Sequence, residues 1–204
     1  MFHDFFIKGV DNLLEQDHVF KPHSADKLLS KERQEQLPAS SIIEMMGIDK
    51  NDTVADFGAG NGYFTLPIAA FVDAKVYAID AEAKMLELLE ERATEQALTN
   101  ITYLHATIED TPIETASLDK VLTSRTIHHA MNMDNTLAEM KRVLKPTGEL
   151  FIIEFYKDEK IDGPPMEMRI DPNEMVELLE EAGFTAEVID INEAEYGVKA
   201  RINN

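Results

Sequence analysis

The chain has 204 residues with 39 acidic against 19 basic side chains, no cysteine, and a formal net charge of -20. Its length suits one domain with a small appendage, and no apolar run is long enough to cross a bilayer. Without cysteine there are no disulfides, thiolate nucleophiles or cysteine-held zinc, and so acidic a surface repels DNA and RNA.

Residues 1–18 place Phe2, Phe5, Phe6, Val10, Leu13 and Leu14 at helical spacing, with Asp4, Asp11 and Glu15 between them. The pattern predicts an amphipathic helix, and its acidic polar face favours packing on the protein itself over a membrane surface. The first residues lack a basic segment followed by a continuous apolar stretch, so no secretory signal is expected and the chain reads as soluble and cytoplasmic. Lys27, Lys31 and Arg33 come nearest to a basic patch, but Glu32 and Glu35 interrupt them. Pro22 and Pro38 break the polar stretch before a helix over residues 39–46.

Residues 53–57 read as a buried strand and residues 63–72 as a helix, with Gly58, Gly60 and Gly62 at the turn between them. Glycines there reach positive φ and let another molecule lie against the backbone. The helix start adds unpaired N–H groups and a positive dipole end. The second strand, residues 75–79, leads into Asp80, whose carboxylate can accept hydrogen bonds from two ribose hydroxyls. Glycine turn and acidic strand end together define a nucleoside pocket.

A crossover helix is expected over residues 81–97, with Ala83, Leu86, Leu89 and Ala93 on its buried face, then a third strand over 101–104 and a loop over 105–112. The fourth strand, 118–124, delivers Ser124, Arg125, Thr126, Ile127, His128 and His129 to the sheet edge where open α/β folds bind ligands. A helix over 134–144 turns Leu137, Met140, Val143 and Leu144 inward and is stopped by Lys145-Pro146-Thr147-Gly148. The fifth strand, 149–155, then brings Glu154 near its functional end. Gly163-Pro164-Pro165 marks residues 156–169 as a loop, placed to wall a substrate pocket. Asp171 at N-cap, Pro172 at N1 and Glu174 at N3 open a helix that Gly183 ends, with Met175, Leu178, Leu179 and Ala182 facing the core. Residues 184–191 and 196–202 close the chain as an antiparallel hairpin around the polar turn 192–195.

The glycine spacing separates two kinds of nucleoside turn. A dinucleotide fingerprint would put its third glycine at Tyr63, whereas here it falls at Gly62. The D-x-G-x-G-x-G pattern from Asp56 to Gly62 resembles motif I of the class I S-adenosylmethionine-dependent methyltransferases. Residues 29–38 and the passage Leu144-Lys145-Pro146-Thr147-Gly148-Glu149-Leu150 are similar to small-molecule members of the quinone-biosynthesis type. The resemblance implies an α/β, doubly wound, mostly parallel seven-stranded sheet of the Rossmann-like methyltransferase type with an antiparallel C-terminal hairpin strand. It implies S-adenosyl-L-methionine as cofactor, with Asp56 near its ammonium group and Gly58, Ala59, Gly60 and Gly62 around its methionine end. Asp80 and Ala81 would then lie at the ribose, Ser124 at the fourth strand's end, and Thr107 and Ile108 at the adenine. Thr107, or Glu109 beside it, stands where many members carry an aspartate for the adenine amino group. Residues 1–38 would form a helical lid and residues 39–204 the cofactor-binding domain.

A sulfonium methyl is already activated, so orientation supplies most of the help, about 7–11 kcal/mol in favourable cases, and a base matters only where the acceptor loses a proton. His128 and His129 are the candidates for that base. Neighbours on a strand end are expected to point apart, and with no third ligand in view no metal is expected. Arg125 would orient an anionic acceptor or pair with a surface carboxylate. Glu154 and Tyr156 would touch the acceptor, or Glu154 would pair with Lys141 or Arg142. The leading function is methyl transfer to an unidentified small molecule, with no nucleic-acid partner, no membrane span and a homodimer allowed. The departure at Thr107 motivates an alternative, a non-catalytic S-adenosylmethionine/S-adenosylhomocysteine-binding regulatory protein. A nicotinamide-dependent oxidoreductase is disfavoured by Tyr63 and by the lack of room for a second catalytic domain.

Overall fold

A computed structural model describes residues 31–203, so the helix expected over 1–18 lies outside the described residues. Seven strands form one sheet: β1 (Val54–Phe57), β2 (Val76–Asp80), β3 (Ile101–His105), β4 (Leu118–Ser124), β5 (Leu144–Phe155), β6 (Phe184–Asp190) and β7 (Glu195–Ile202). Their spatial order is β3-β2-β1-β4-β5-β7-β6, parallel from β3 to β5, with β7 antiparallel to both β5 and β6. Among the described residues six helices pack around it: α1 (Lys31–Gln36), α2 (Ala39–Met46), α3 (Thr65–Phe71), α4 (Ala83–Glu95), α5 (Met133–Val143) and α6 (Pro172–Glu181).

Covering both faces leaves the central strands mostly apolar and buried, and β1 is buried at all four positions, Asp56 included. On one face Phe57, Val121, Leu150 and Ile152 meet Leu137 and Met140 of α5 and Leu179 of α6. On the other, Val54, Leu122, Phe151 and Ile153 meet Ile42 of α2 and Ile68 of α3. Fully burying each such side chain contributes about 1.5–3 kcal/mol. The strand order runs outward from β1 through β2 to β3 and outward from β4 to β5, which makes the β1/β4 junction the topological switch point.

Three local expectations are corrected. The helix after the glycine turn starts at Thr65 rather than residue 63, because residues 61–64 remain in turn conformation and the Gly62 N–H bonds Ala59 O at 3.0 Å. The buried stripe of α4 is Met85, Leu86, Leu89 and Ala93; Ala83, its first residue, is exposed where the chain has not yet settled on the sheet. Lys145-Pro146-Thr147-Gly148 lies within β5 and does not precede it. Register jumps there from Leu118 opposite Leu144 to Lys120 opposite Glu149, so the four residues bulge past Asp119, and a bulge tolerates Pro146 without its N–H. Lys145 pins the bulge by an ion pair to Asp119 at 2.7 Å.

Asp171 caps α6 as its sequence signature predicts, accepting from Asn173 N–H at 2.9 Å, and Gly183 follows the helix at φ +83°.

Candidate functional site

The carboxyl ends of β1, β2, β4 and β5 converge on the glycine turn. Gly58, Gly60 and Gly62 all have positive φ, at +84°, +53° and +95°. Two of these glycines admit the protein's own side chains. A Cβ on Gly58 would lie 2.3 Å from Thr126 Oγ1 and Cγ2, and one on Gly62 would lie 2.2 Å from Leu89 of α4. The space that a Cβ on Gly58 or Gly62 would need is thus filled by the protein's own side chains, which requires glycine at both positions. N–H groups of both Gly58 and Ala59 bond Ile79 O, at 2.9 and 2.8 Å, so the turn is tied to β2.

Asp80 closes the turn from the other side. Its Oδ2 accepts from Gly60 N–H at 2.7 Å and its Oδ1 from Glu82 N–H at 2.8 Å. Burial pushes its carboxyl above the usual aspartate range, against the pull of these two N–H groups. Each carboxylate oxygen can accept more than one bond, so a fixed pair of acceptors remains at the strand end. Ala81 follows directly, and its carbonyl is bonded by His105 Nε2 at 2.9 Å.

Asp56 is 3% exposed, on the opposite sheet face from Phe57, and accepts from Thr65 Oγ1 at 2.6 Å. Burial pushes its carboxyl up to about 6, while the Thr65 bond and the Arg33 charge draw it down. Arg33 is a buried residue of this candidate site that sequence reasoning missed, since it reads only as a broken patch of surface charge. In the structure it is 7% exposed, and its guanidinium lies 4.2 Å from the Tyr63 ring centroid. Burial and the charge of Arg125 lower it to about 10. Tyr63 donates to Leu37 O at 2.6 Å and to Arg33 O at 3.2 Å, fixing α1 against the turn. The signal that could have found Arg33 is the aromatic pair Tyr63-Phe64 facing a lone arginine ahead of the glycines.

The expected adenine loop is braced. Thr107 bridges Asp110, Ile108 is buried with the β1 and β4 core residues, and Glu109 accepts from Met131 N–H at 2.9 Å. Thr111 donates from both its N–H and its hydroxyl to Glu139 Oε1, at 2.8 and 2.6 Å, and Arg142 grips the same carboxylate. Glu109 thus has a structural task that Thr107 does not share.

At the end of β4, Arg125 takes φ +54° and pairs with Glu195, which is 1% exposed and so is not a surface carboxylate. Ile127, His128 and His129 form a 3-10 turn. The turn overturns the expectation that the two histidines diverge: their ring centroids are 4.1 Å apart. Glu154 pairs with His128, Nδ1 to Oε2 at 2.8 Å, with both side chains about 4% or less exposed. Lys141 instead donates to Ala182 O, and Arg142 to Glu139. Tyr156 donates to Asp190 at 2.9 Å. Among the described residues no group of three histidine, aspartate or glutamate side chains is placed to hold a metal ion.

Three buried polar atoms at this edge have no hydrogen-bond partner: Thr123 Oγ1, Ser124 Oγ and Glu154 Oε1. Unsatisfied buried groups cost about 1–3 kcal/mol each, so a polar ligand fits here better than an apolar one. Acidic acceptors at Asp56 and Asp80 suit an ammonium group and a pair of hydroxyls, which is what an adenosyl amino acid presents. A separate cleft of about 440 Å³, between Pro38, Tyr63, Leu66, Pro67 and Arg92, shares only Gly62 with the predicted site residues. The polar geometry at the strand ends, and not that cleft, marks the candidate site.

Residues 55–152 match the methyltransferase domain family. The chain is 33% identical over 118 residues to the ubiquinone/menaquinone biosynthesis C-methyltransferase of Francisella tularensis, a match covering 56% of this chain and 47% of that protein. It is 29% identical over 118 residues to the 2-phytyl-1,4-naphtoquinone methyltransferase of Trichormus variabilis, covering 56% and 52%. The matches thus span about half the length of these relatives. Among solved structures, a SAM-dependent methyltransferase from Aquifex aeolicus superposes with a TM-score of 0.83 at 29% identity, covering 89% of this chain and 98% of that one.

Proposed function

We propose that this chain, a class I S-adenosylmethionine-dependent methyltransferase resembling those of quinone biosynthesis, methylates a small molecule bearing a hydroxylated aromatic ring. The observation that carries this reading is Asp80 at the end of β2, held in place by Gly60 and Glu82 N–H beside a glycine turn of methyltransferase spacing. When bound, S-adenosyl-L-methionine supplies an electrophilic methyl group.

The chain's own residues do the rest. Asp80 receives the ribose hydroxyls, with Ala81 beside it. Asp56 faces the ammonium group and Arg33 the carboxylate. The backbone from Gly58 to Gly62 shapes the methionine end, Ser124 offers its unpartnered hydroxyl, and Thr107 and Ile108 border the adenine. His128 and His129 flank the acceptor. The likeness to quinone methyltransferases and the buried, polar, histidine-containing end of β4 support a ring-bearing acceptor.

Calorimetry with S-adenosylhomocysteine tests the cofactor reading. Wild type is expected to bind at micromolar concentration, Asp80→Ala at least tenfold more weakly. Equal affinity of the two proteins would remove the site as drawn.

A further inference from the structure

At the end of β4 a buried carboxylate lies on the ring of His128: Glu154 Oε2 is 2.8 Å from Nδ1. An ionised carboxylate only accepts, so the hydrogen of this bond sits on Nδ1 and, in neutral imidazole, Nε2 keeps its lone pair. Both side chains are almost wholly excluded from water, at 4% and 3% exposure, so the ring is held in one orientation by β5. A buried acid that fixes a histidine tautomer and opposes the imidazolium charge is how a general base is made ready.

We propose that Glu154 is a positioning residue that makes His128 the proton acceptor, and therefore that the acceptor is methylated at an atom that gives up a proton. This rests on the methyltransferase reading above and adds a positioning role for Glu154 and a constraint on the acceptor. For a hydroquinone ring carbon, a new carbon–carbon bond to the methyl group forms. The carbon–sulfur bond breaks with its electron pair left on sulfur. The proton leaves the ring carbon for His128 Nε2, its bonding pair returning to the ring. No oxidant or reductant is consumed. Glu154 stabilises the imidazolium until the proton passes to solvent, and its second oxygen, buried and without a partner, is placed to receive a donor such as an acceptor hydroxyl.

Among the described residues, the groups around His128 come from β5, β7 and its own turn. Glu154 comes from β5, and Tyr196 from β7 feels Glu154 but donates its hydroxyl to Ile170 O. Burial first, then the charges of Glu154, Asp171 and Glu174, hold Tyr196 in its neutral phenol form. His129 stacks on His128 from the same turn, Phe155 presents its ring at 6.5 Å, and the Arg125 charge is matched by Glu195.

Nitrogen-15 NMR of histidine-labelled protein tests the proposal without an acceptor. Wild-type His128 is expected as the Nδ1–H tautomer at pH 8, and Glu154→Leu, which removes the acceptor, should leave a mixture of the two tautomers. With 2-methyl-1,4-naphthohydroquinone kept reduced as probe, Glu154→Leu should lower kcat at least tenfold and leave S-adenosylhomocysteine affinity within twofold. Glu154→Asp should restore part of kcat. An Nε2–H tautomer in wild type, or a His128 tautomer indifferent to Glu154→Leu, overturns the proposal. If the probe is not methylated by wild type while the NMR result holds, it is the ring-bearing acceptor that falls and the His128–Glu154 pair that stands.

Discussion

Replacing Asp56 by Asn should stabilise the apo protein while weakening its hold on cofactor. Asp56 is 3% exposed, and burial raises its carboxyl from the ordinary 3.8 to about 6, the Thr65 bond and Arg33 charge recovering only part of the loss. At about 1.4 kcal/mol per unit, that gap makes the ionised side chain cost the folded state about 3 kcal/mol. The sign follows from proton affinity. The folded chain binds this proton more tightly than the unfolded chain, so the benefit is complete below 3.8 and is lost as pH rises through 6. Asn keeps an acceptor for the Thr65 hydroxyl and carries no charge. In urea unfolding of ligand-free protein, Asp56→Asn should therefore exceed wild type by about 3 kcal/mol at pH 8 and by roughly half that at pH 5. For a chain of this length this is a rise of about 6–12 °C in Tm at the higher pH. An ammonium group beside the carboxylate would supply the missing countercharge, so S-adenosylhomocysteine should bind the variant more weakly although its scaffold is firmer. A variant no more stable than wild type at pH 8, or an advantage that grows towards pH 5, would refute the reasoning.

Two further outcomes follow from packing. Gly58→Ala places a methyl group at φ +84° against Thr126, for a loss of about 2–4 kcal/mol in urea unfolding; adding Thr126→Gly should recover the steric part and leave the backbone strain. Arg169 is 6% exposed and donates to four backbone carbonyls, those of Pro164, Tyr156, Asp158 and Ile161. Arg169→Ala should expose the 156–164 loop to trypsin at Lys157 and Lys160 at least tenfold faster, with cofactor affinity retained; unchanged cleavage would show that the loop needs no such anchor.

Much of this fold is legible because its signals are local and redundant. The boundaries of β4 follow from its apolar run, and the start of α6 from Asp171-Pro172, whose capping chemistry acts within three residues. The glycine turn is visible too, but its spacing does not say what meets each bare face, since Thr126 and Leu89 lie 68 and 27 residues beyond the glycines they cover. Side-chain partners across the sheet are hidden for the same reason. Glu154 reads as a match for a nearby lysine or arginine, yet register places it by His128, and Arg125 finds Glu195 seventy residues away. Arg33 is the sharpest case: an arginine between two glutamates reads as solvent-facing charge, and only the fold buries it on Tyr63.

The hydroxyl of Tyr63 hooks the carbonyl of Leu37, two groups separated by 26 residues. A residue of the glycine turn is thereby latched to the connection between α1 and α2. Any displacement of α1 pulls on that turn, and any shift of the turn pulls on α1. The seat of α1 and the shape of the glycine turn are in this way geared to one another through a single phenol.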